Sequence, residues 1–374
     1  MSSCLIIAGE KSGEEHAMTF FPELKKLCPE TDFFGVGGED LSQNGVELLY
    51  HLKDFSSMGF SEVIQKIPFY FKAMKRLEDE VIKRGTKTAI LIDFQDFNLR
   101  LAQRLSKLGV QVLYYVAPQA WVWKPKRAGI LAKTVHTLYT ILPFEKKWFH
   151  DRGVKQVRGI PHPLMRTYAS EFKTIPEKPF STMNNGVELL LLPGSRKFEV
   201  QLLLEKFITA KKMLQKKGLK VRTHLVKVKH LPSYLYDYFA DDIDIWYESE
   251  ELVKAMNATH MSLAASGTVT LSTGLFELPT VVAYRGSLLN EYIYNNFINY
   301  QGPVSLTNII HGEMVFPELL QDQARPELMA REIYSWVTQE TEYNRLKEQL
   351  MKTKNLLSGE NFSVPESMAQ VINK

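Results

Sequence analysis

Short apolar runs recur along the chain, most of them closed by a polar turn. In the first half they fall at residues 4–8 (CLIIA), 32–36, 88–93 (TAILID), 110–116, 135–142 and 156–160; in the second at 189–192, 221–226, 243–247, 260–265 and 280–284. Runs of this length suit buried strands and are too short for helices. Between them lie stretches with helical character: one ending at Lys26, then 98–108, 200–217 with a lysine-rich outer face, 252–256, and a late Lys/Glu-rich stretch at 340–357. Strand, turn, helix, strand is the grammar of a parallel α/β sheet, and it occurs in both halves. At 374 residues the chain exceeds one ordinary core, so two domains are predicted. Their boundary is placed near Pro161-His162-Pro163 and the Pro/Ser/Thr/Asn-containing stretch 174–186, giving domains at 1–165 and 166–340 and a C-terminal helical segment at 341–374.

Composition narrows the function classes. Hydrophobic residues at 45% and charged at 24% are ordinary globular values, which excludes a disordered chain. A net charge of +4 is too mild and too dispersed to point to nucleic acid. The two cysteines, Cys4 and Cys28, have neither zinc nor redox spacing and fit a reducing compartment. The start, MSSCLIIAGEKSG, reads as a first strand rather than a signal peptide, and no apolar run is long enough to span a bilayer. A cytoplasmic or membrane-surface protein is expected.

The stretch 188–200 (ELLLLPGSRKFEV) carries the strongest local chemistry. Pro193 and Gly194 stop a strand, Ser195 is suited to cap the following helix, and Glu199 stands in its first turn. That geometry points backbone N–H groups at an anion, and Arg196 adds a planar cationic fork that matches phosphate. An ordinary strand-to-helix turn with an exposed arginine is the plain alternative. Ser266-Gly267-Thr268 repeats the strand-to-helix form, and two such turns suit a diphosphate better than one. Asp93 ends a strand, where open α/β sheets bind ligands, although it could merely cap the next helix.

Residues 58–75 are rich in Phe, Ile, Tyr and Met with interleaved lysines, and Pro68 is expected to break any single helix. Core packing and a lipid-facing surface are both open for them. Trp121 and Trp123, beside Lys124, Lys126 and Arg127, either wedge a loop onto the core or form a sugar platform. The first turn, Gly9-Glu10-Lys11-Ser12-Gly13, is neither a dinucleotide fingerprint nor a Walker A sequence. Asp241-Asp242-Ile243-Asp244 reads as a solvated turn, His162 as structural, and the histidines lack H-x-x-x-H spacing.

Taken together, several stretches closely resemble the lipid A disaccharide synthases. They are Ala8-Gly9-Glu10 with Ser12-Gly13, Met58-Gly59, Ile92-Asp93 with Asp96-Phe97-Asn98, Tyr115-Val116-Ala117-Pro118 with Trp121 and Trp123, and Leu142-Pro143-Phe144-Glu145. Further along come His162-Pro163-Leu164, Leu191-Leu192-Pro193-Gly194-Ser195-Arg196 with Glu199-Val200, Ala265-Ser266-Gly267-Thr268, Val281-Val282 with Tyr284-Arg285, and Val304-Ser305-Leu306 with Asn308. The resemblance runs in order from about residue 5 to about residue 320.

It implies an α/β protein of the GT-B glycosyltransferase fold, two Rossmann-like domains with an interdomain cleft. The implied reaction is an inverting transfer of lipid A and lipopolysaccharide biosynthesis. UDP-2,3-diacylglucosamine and 2,3-diacylglucosamine 1-phosphate give the β(1→6) disaccharide 1-phosphate and UDP, on the cytoplasmic face of the inner membrane. No metal or other cofactor is expected, nor any nucleic-acid partner. Asp93 matches the family's acid and becomes the candidate base, with Asp96 as a loop organiser and runner-up. Arg196, Gly194, Ser195, Ser266, Gly267 and Thr268 would neutralise the departing UDP, with Asn308 on the nucleotide side. Glu10, Ser12 and Gly13 would line the acceptor side. Met58, Phe60, Val63, Ile64, Ile67, Phe69 and Phe71 would meet acyl chains and membrane.

Three positions depart from the family pattern. Ser272 stands where an acid usually binds ribose, Glu14 where Asp is common, and Pro161 where Gly is usual. Ser272 is expected to hydrogen-bond ribose weakly, which leaves donor affinity and sugar preference open. Alternatives to the implied reaction are another GT-B nucleotide-sugar enzyme (an epimerase or a non-lipid transferase) and a catalytically silent lipid-binding homologue.

Overall fold

The structure, a computed structural model, describes residues 2–55, 66–122, 124–286 and 302–374. The first unit is built on strands β1 (Ser2–Ala8), β2 (Thr31–Gly37), β3 (Val46–His51), β4 (Thr88–Ile92), β5 (Gln111–Tyr115), β6 (Thr137–Thr140) and β7 (Val157–Gly159). They form one parallel sheet in the order β3-β2-β1-β4-β5-β6-β7. Residues Cys4 to Ala8 of β1 are all fully buried, as a central strand covered on both faces requires. Sequence reading missed β3. It is an edge strand whose residues are mostly half-buried, so it lacks the continuous apolar run of its neighbours.

Helix α1 (Lys11–Met18) follows β1, and the five-residue turn expected after β1 shrinks to Gly9 and Glu10, because Lys11, Ser12 and Gly13 already belong to α1. Helix α2 (Ile67–Arg84) begins where Pro68 was expected to break a helix. Proline in the first turn gives up an N–H that has no partner there anyway. The helix buries Ala73, Met74, Leu77 and Val81 and stops at Gly85 in the left-handed conformation. Helix α3 (Gln95–Lys107) follows β4 and buries Leu101, Ala102 and Leu105.

The second unit repeats the plan with β8 (Val187–Leu192), β9 (Val221–Lys227), β10 (Ile245–Glu248), β11 (Met261–Ala265), β12 (Thr280–Tyr284) and β13 (Glu318–Leu320). Its parallel order is β10-β9-β8-β11-β12-β13. Helix α4 (Lys197–Lys216) lays Val200, Leu203, Leu204, Phe207 and Ile208 on this sheet, the spacing of one helical face. Helices α5 (Thr268–Leu275) and α6 (Leu306–His311) complete the part that bears on function.

The units comprise Met1–Pro163 with Ser358–Lys374, and Leu164–Leu357. The segment 341–374, expected as one piece, is therefore divided. Tyr343, Leu346 and Leu350 join the second core, whereas Met368 and Ile372 of the last helix, Val364–Ile372, join the first. The stretch expected as one helix at 340–357 is two, Glu340–Met351 and Thr353–Leu357. Among the described residues no helix is long and apolar enough to cross a membrane.

Candidate active site

In each sheet the strand order reverses direction between two neighbouring strands, β1 and β4 in the first unit and β8 and β11 in the second. Such switch points open a crevice at the carboxyl ends of the strands, where doubly wound sheets bind ligands. The four turns singled out for ligand chemistry follow these four strands.

In the first unit Ala8 pairs in register with Ile92, so Glu10 and Asp93 emerge side by side. Asp93 and Phe94 both adopt left-handed backbone conformations (φ 45° each), and Val116, just beyond β5, does so at φ 66°. For residues with a Cβ this costs on the order of 1–3 kcal/mol each and persists only where surroundings impose it. The surroundings here are explicit. The Asp93 amide donates to the Tyr115 carbonyl (2.9 Å), and the Asp93 carbonyl accepts from Asn98 Nδ2 (2.9 Å) and the Tyr114 hydroxyl (3.0 Å). The buried Asn98 also donates to the Ile92 carbonyl (3.1 Å), clamping the strand end from both sides of the turn. Gly9 is required opposite, since a Cβ there would meet the Phe94 ring at 2.6 Å.

The Asp93 carboxyl is raised to about 6. Burial is the main cause, the Glu10 charge adds to it, and a hydrogen bond from the Phe94 backbone opposes it. It lines a cavity of about 1020 Å³ together with Glu10, Asp96, Arg100 and Lys124 and the apolar Phe55, Ile67, Tyr70, Phe71, Met74, Phe94 and Phe97. Its lining is thus part ionisable and part aromatic and aliphatic. Asp96 is exposed and paired with Arg127 and Lys124, as befits a loop organiser. Ser12 and Gly13 are not among the lining residues. Ser12 is exposed on α1, and Gly13 is buried against the ends of β1 and β4.

Of the expected acyl-facing residues, Ile67 and Phe71 are exposed and line the cavity. Phe69 does not face outward with them: it packs edge-on against the rings of Tyr50 and Phe55. Met58, Phe60, Val63 and Ile64 lie outside the described residues, as does Trp123. Trp121 wedges a loop: its indole donates to the buried carboxylate of Glu145 (3.0 Å) and its ring sits edge-on to Phe144. The family-divergent Glu14 is wholly buried and accepts from the amides of Gly38 (2.8 Å) and Leu41 (3.1 Å), so it ties α1 to the short helix Glu39–Gln43.

The second unit's turn after β8 departs from expectation. Arg196, not Ser195, precedes the helix as its N-cap. The amides of Ser195 and Arg196 donate to Glu199 Oε2 (3.0 and 3.1 Å), and the Arg196 guanidinium meets Glu199 Oε1 at 2.9 Å. The donors expected to face an anion are thus taken by an acid of the same helix, the reciprocal half of a capping box. Gly194 (φ 115°) is required because a Cβ would collide with that carboxylate. Arg196 nevertheless remains 69% exposed. After β11 the Ser266 amide is taken by the Ala283 carbonyl (2.9 Å). What stays open is the first turn of α5, where Gly267 and Thr268 are exposed and the amides of Thr268 and Val269 have no acceptor within the helix.

Two further expectations are corrected. Ser272 is buried, 3% exposed, with its hydroxyl on the Tyr168 hydroxyl (3.0 Å), so it is not presented to a ribose. Asn308 is fully buried and fully used: Nδ2 donates to the Phe316 carbonyl and Glu318 (2.8 Å each), and Oδ1 accepts from the Phe316 amide (2.7 Å). It organises the 304–318 segment. Sequence reading also missed Asn98, Tyr114 and Glu199 as the residues that set these turns. Asn98 stood in a quoted motif, but a buried amide cannot be told from an exposed one by residue type. Among the described residues, no three His, Cys, Asp or Glu side chains gather in a way that could hold a metal ion.

Residues 4–374 match the family described as "Lipid-A-disaccharide synthetase". The chain belongs to that family. It is 35% identical to the lipid-A-disaccharide synthase of Myxococcus xanthus over 335 residues, covering 88% of this chain and 86% of that one. It is 29% identical to lipid-A-disaccharide synthase 1 of Legionella pneumophila (strain Paris), with coverage of 96% and 94%. Among solved structures it is similar to Acinetobacter baumannii MurG (TM-score 0.57, 11% identity, 100% and 99% coverage) and to the S. aureus MnaA–UDP co-structure (0.57, 12%, 100% and 96%). At such identity these likenesses concern the fold, which is the GT-B type with two Rossmann-like units.

Proposed function

We propose that this chain is an inverting, metal-independent glycosyltransferase that makes the lipid A disaccharide. It joins UDP-2,3-diacylglucosamine to 2,3-diacylglucosamine 1-phosphate, giving the β(1→6) disaccharide 1-phosphate and UDP, while resting on the cytoplasmic face of the inner membrane. Membership of the family supports the reaction class. The observation that carries the mechanism is the half-buried, lifted carboxyl of Asp93 at a switch point, in a cavity with a partly apolar lining.

Inversion needs a base opposite the leaving group. In this reading the acceptor's 6-hydroxyl gives its proton to Asp93 as its oxygen attacks the donor's anomeric carbon, and the bond to the UDP oxygen breaks. A carboxyl near 6 is ionised at neutral pH yet more basic than an ordinary aspartate, which suits a base. Asn98 and Tyr114 hold it in place by fixing the Asp93 carbonyl. Arg196 and the open amides of Thr268 and Val269 stabilise the charge on UDP. The aromatic lining with exposed Ile67 and Phe71 favours an acylated acceptor over a plain sugar. Ser272 and Asn308 have no ligand role in this reading.

The test is acceptor-dependent UDP release from purified protein given both diacylated substrates, with EDTA present. Release in EDTA is expected. UDP bound without release would sink the reading in favour of a silent homologue, and release with acceptors lacking acyl chains at equal efficiency would sink the lipid assignment.

A further inference from the structure

A second cavity, of about 280 Å³, lies beside the first and is lined by Phe71, Met74, Arg100, Gln103, Arg104 and Lys107. Phe71, Met74 and Arg100 line both, so the two share a wall. The four polar residues stand at i, i+3, i+4 and i+7 of α3, one face of the helix. Three of them are cationic, and no carboxylate lines this cavity. Arg104 is paired with Glu78 (2.7 Å), whereas the side chains of Arg100, Gln103 and Lys107 make no hydrogen bond or ion pair with any described residue. Like charges on one helix face repel by about 0.2–0.5 kcal/mol per neighbouring pair. The fold itself offsets this only at Arg104.

We propose that this face of α3 is a site for a lipid-borne phosphate group, and that it takes the acceptor's own phosphate. The assignment to the acceptor rests on the function proposed above. Arg100 lies about 8 Å along the helix axis from the first residue of α3, which follows Asp93 closely. A phosphorylated sugar can therefore offer its hydroxyl to Asp93 and its phosphate to Arg100, with Gln103 and Lys107 as further donors. The shared apolar wall of Phe71 and Met74 then receives acyl chains. A headgroup phosphodiester of the membrane presents the same anionic oxygens and is the other source.

Arg100→Ala and Arg100→Ala/Lys107→Ala separate the two, with Lys133→Ala, a cation outside both cavities, as control. For a phosphate site filled by substrate, the acceptor KM in detergent micelles rises about 10- to 100-fold in Arg100→Ala, the range of one charge-assisted hydrogen bond. The donor KM stays unchanged and Arg100→Lys recovers most of the loss. With a dephosphorylated acceptor the variant and the parent converge. An unchanged acceptor KM with weaker binding to vesicles of equal parts phosphatidylglycerol and phosphatidylcholine, and not to phosphatidylcholine alone, supports the site with the membrane as its phosphate source and overturns its assignment to the acceptor. Neither change, or the same changes in Lys133→Ala, overturns the site. If the parent itself turns over no acceptor, the functional reading fails instead, and the vesicle measurement still decides on the site.

Discussion

The two switch points of this protein have the same topology and opposite electrostatics. In the first unit, the acid at the end of β4 is half-buried, raised to about 6 and held on a strained turn. In the second unit the acid near the end of β8, Glu199, is spent on the amides and the arginine of its own turn. One turn therefore keeps reactive capacity in hand and the other satisfies itself. The difference lies in the partners. Asp93 is lifted chiefly by burial, with the Glu10 charge adding to it, whereas Glu199 accepts from two N–H donors and a guanidinium of its own turn. A shared fold does not make two equivalent sites, because the chemistry is set by what each turn leaves unpaired.

The largest test of this contrast is Asp93→Asn. It is expected to lower kcat by about 10²–10⁴-fold, the usual worth of a general base, with UDP binding retained. In the parent, activity should fall below pH 6 as Asp93 takes up a proton, following an acid limb in kcat/KM near the value to which burial lifts it. Near-normal turnover in Asp93→Asn, or no such limb, would remove Asp93 as the base.

Arg196→Ala probes the exposed arginine of the second turn. UDP affinity is expected to fall about tenfold, measured by calorimetry, if the guanidinium contributes a charge-assisted bond of about 1.4 kcal/mol. An unaltered UDP affinity would leave Arg196 as a capping residue only.

Glu199→Ala asks whether the second turn is structural. Losing the acceptor for two amides should cost about 1–2 kcal/mol, seen as a lower Tm for the second unit. A stability equal to the parent's would contradict the account of this turn as self-satisfied.

The smallest effect separates burial from function. Lys178, 9% exposed, donates to the Met256 carbonyl (2.6 Å) and is lowered to about 7, chiefly by burial, with Lys347 adding and Glu277 opposing. Its folded value lies below its ordinary 10.5, so the folded chain binds fewer protons than the unfolded one between pH 7 and 10.5, and stability should rise with pH across that window. Lys178→Met should be the more stable near pH 7, with its Tm advantage shrinking toward pH 10.5. An advantage that stays flat with pH would show that burial alone does not shift this group.

Much of the fold was legible because its strands are buried on both faces. Runs such as Cys4 to Ala8 or Leu189 to Leu192 have no other use in a globular chain, and their alternation with helices implied parallel sheets. The half-buried edge strand Val46–His51 and the short strand Glu318–Leu320 escaped notice because pairing with one neighbour leaves a weak apolar signature. The break expected at Pro68 takes the form of a helix start, because a proline in the first turn gives up an N–H that has no partner there anyway.

The sequence by itself determined the two-unit α/β plan, the turns that follow the central strands, and Asp93 as the acid at one of them. These are local or periodic properties, set by neighbours along the chain. Only the tertiary structure decided which polar groups at those turns remain open. Asn308 and Ser272 looked available by residue type, yet each is occupied by a partner brought in by folding. Burial has the same character: it turns Asp93 from an ordinary carboxyl into one near 6, and burial is a property of everything packed around it.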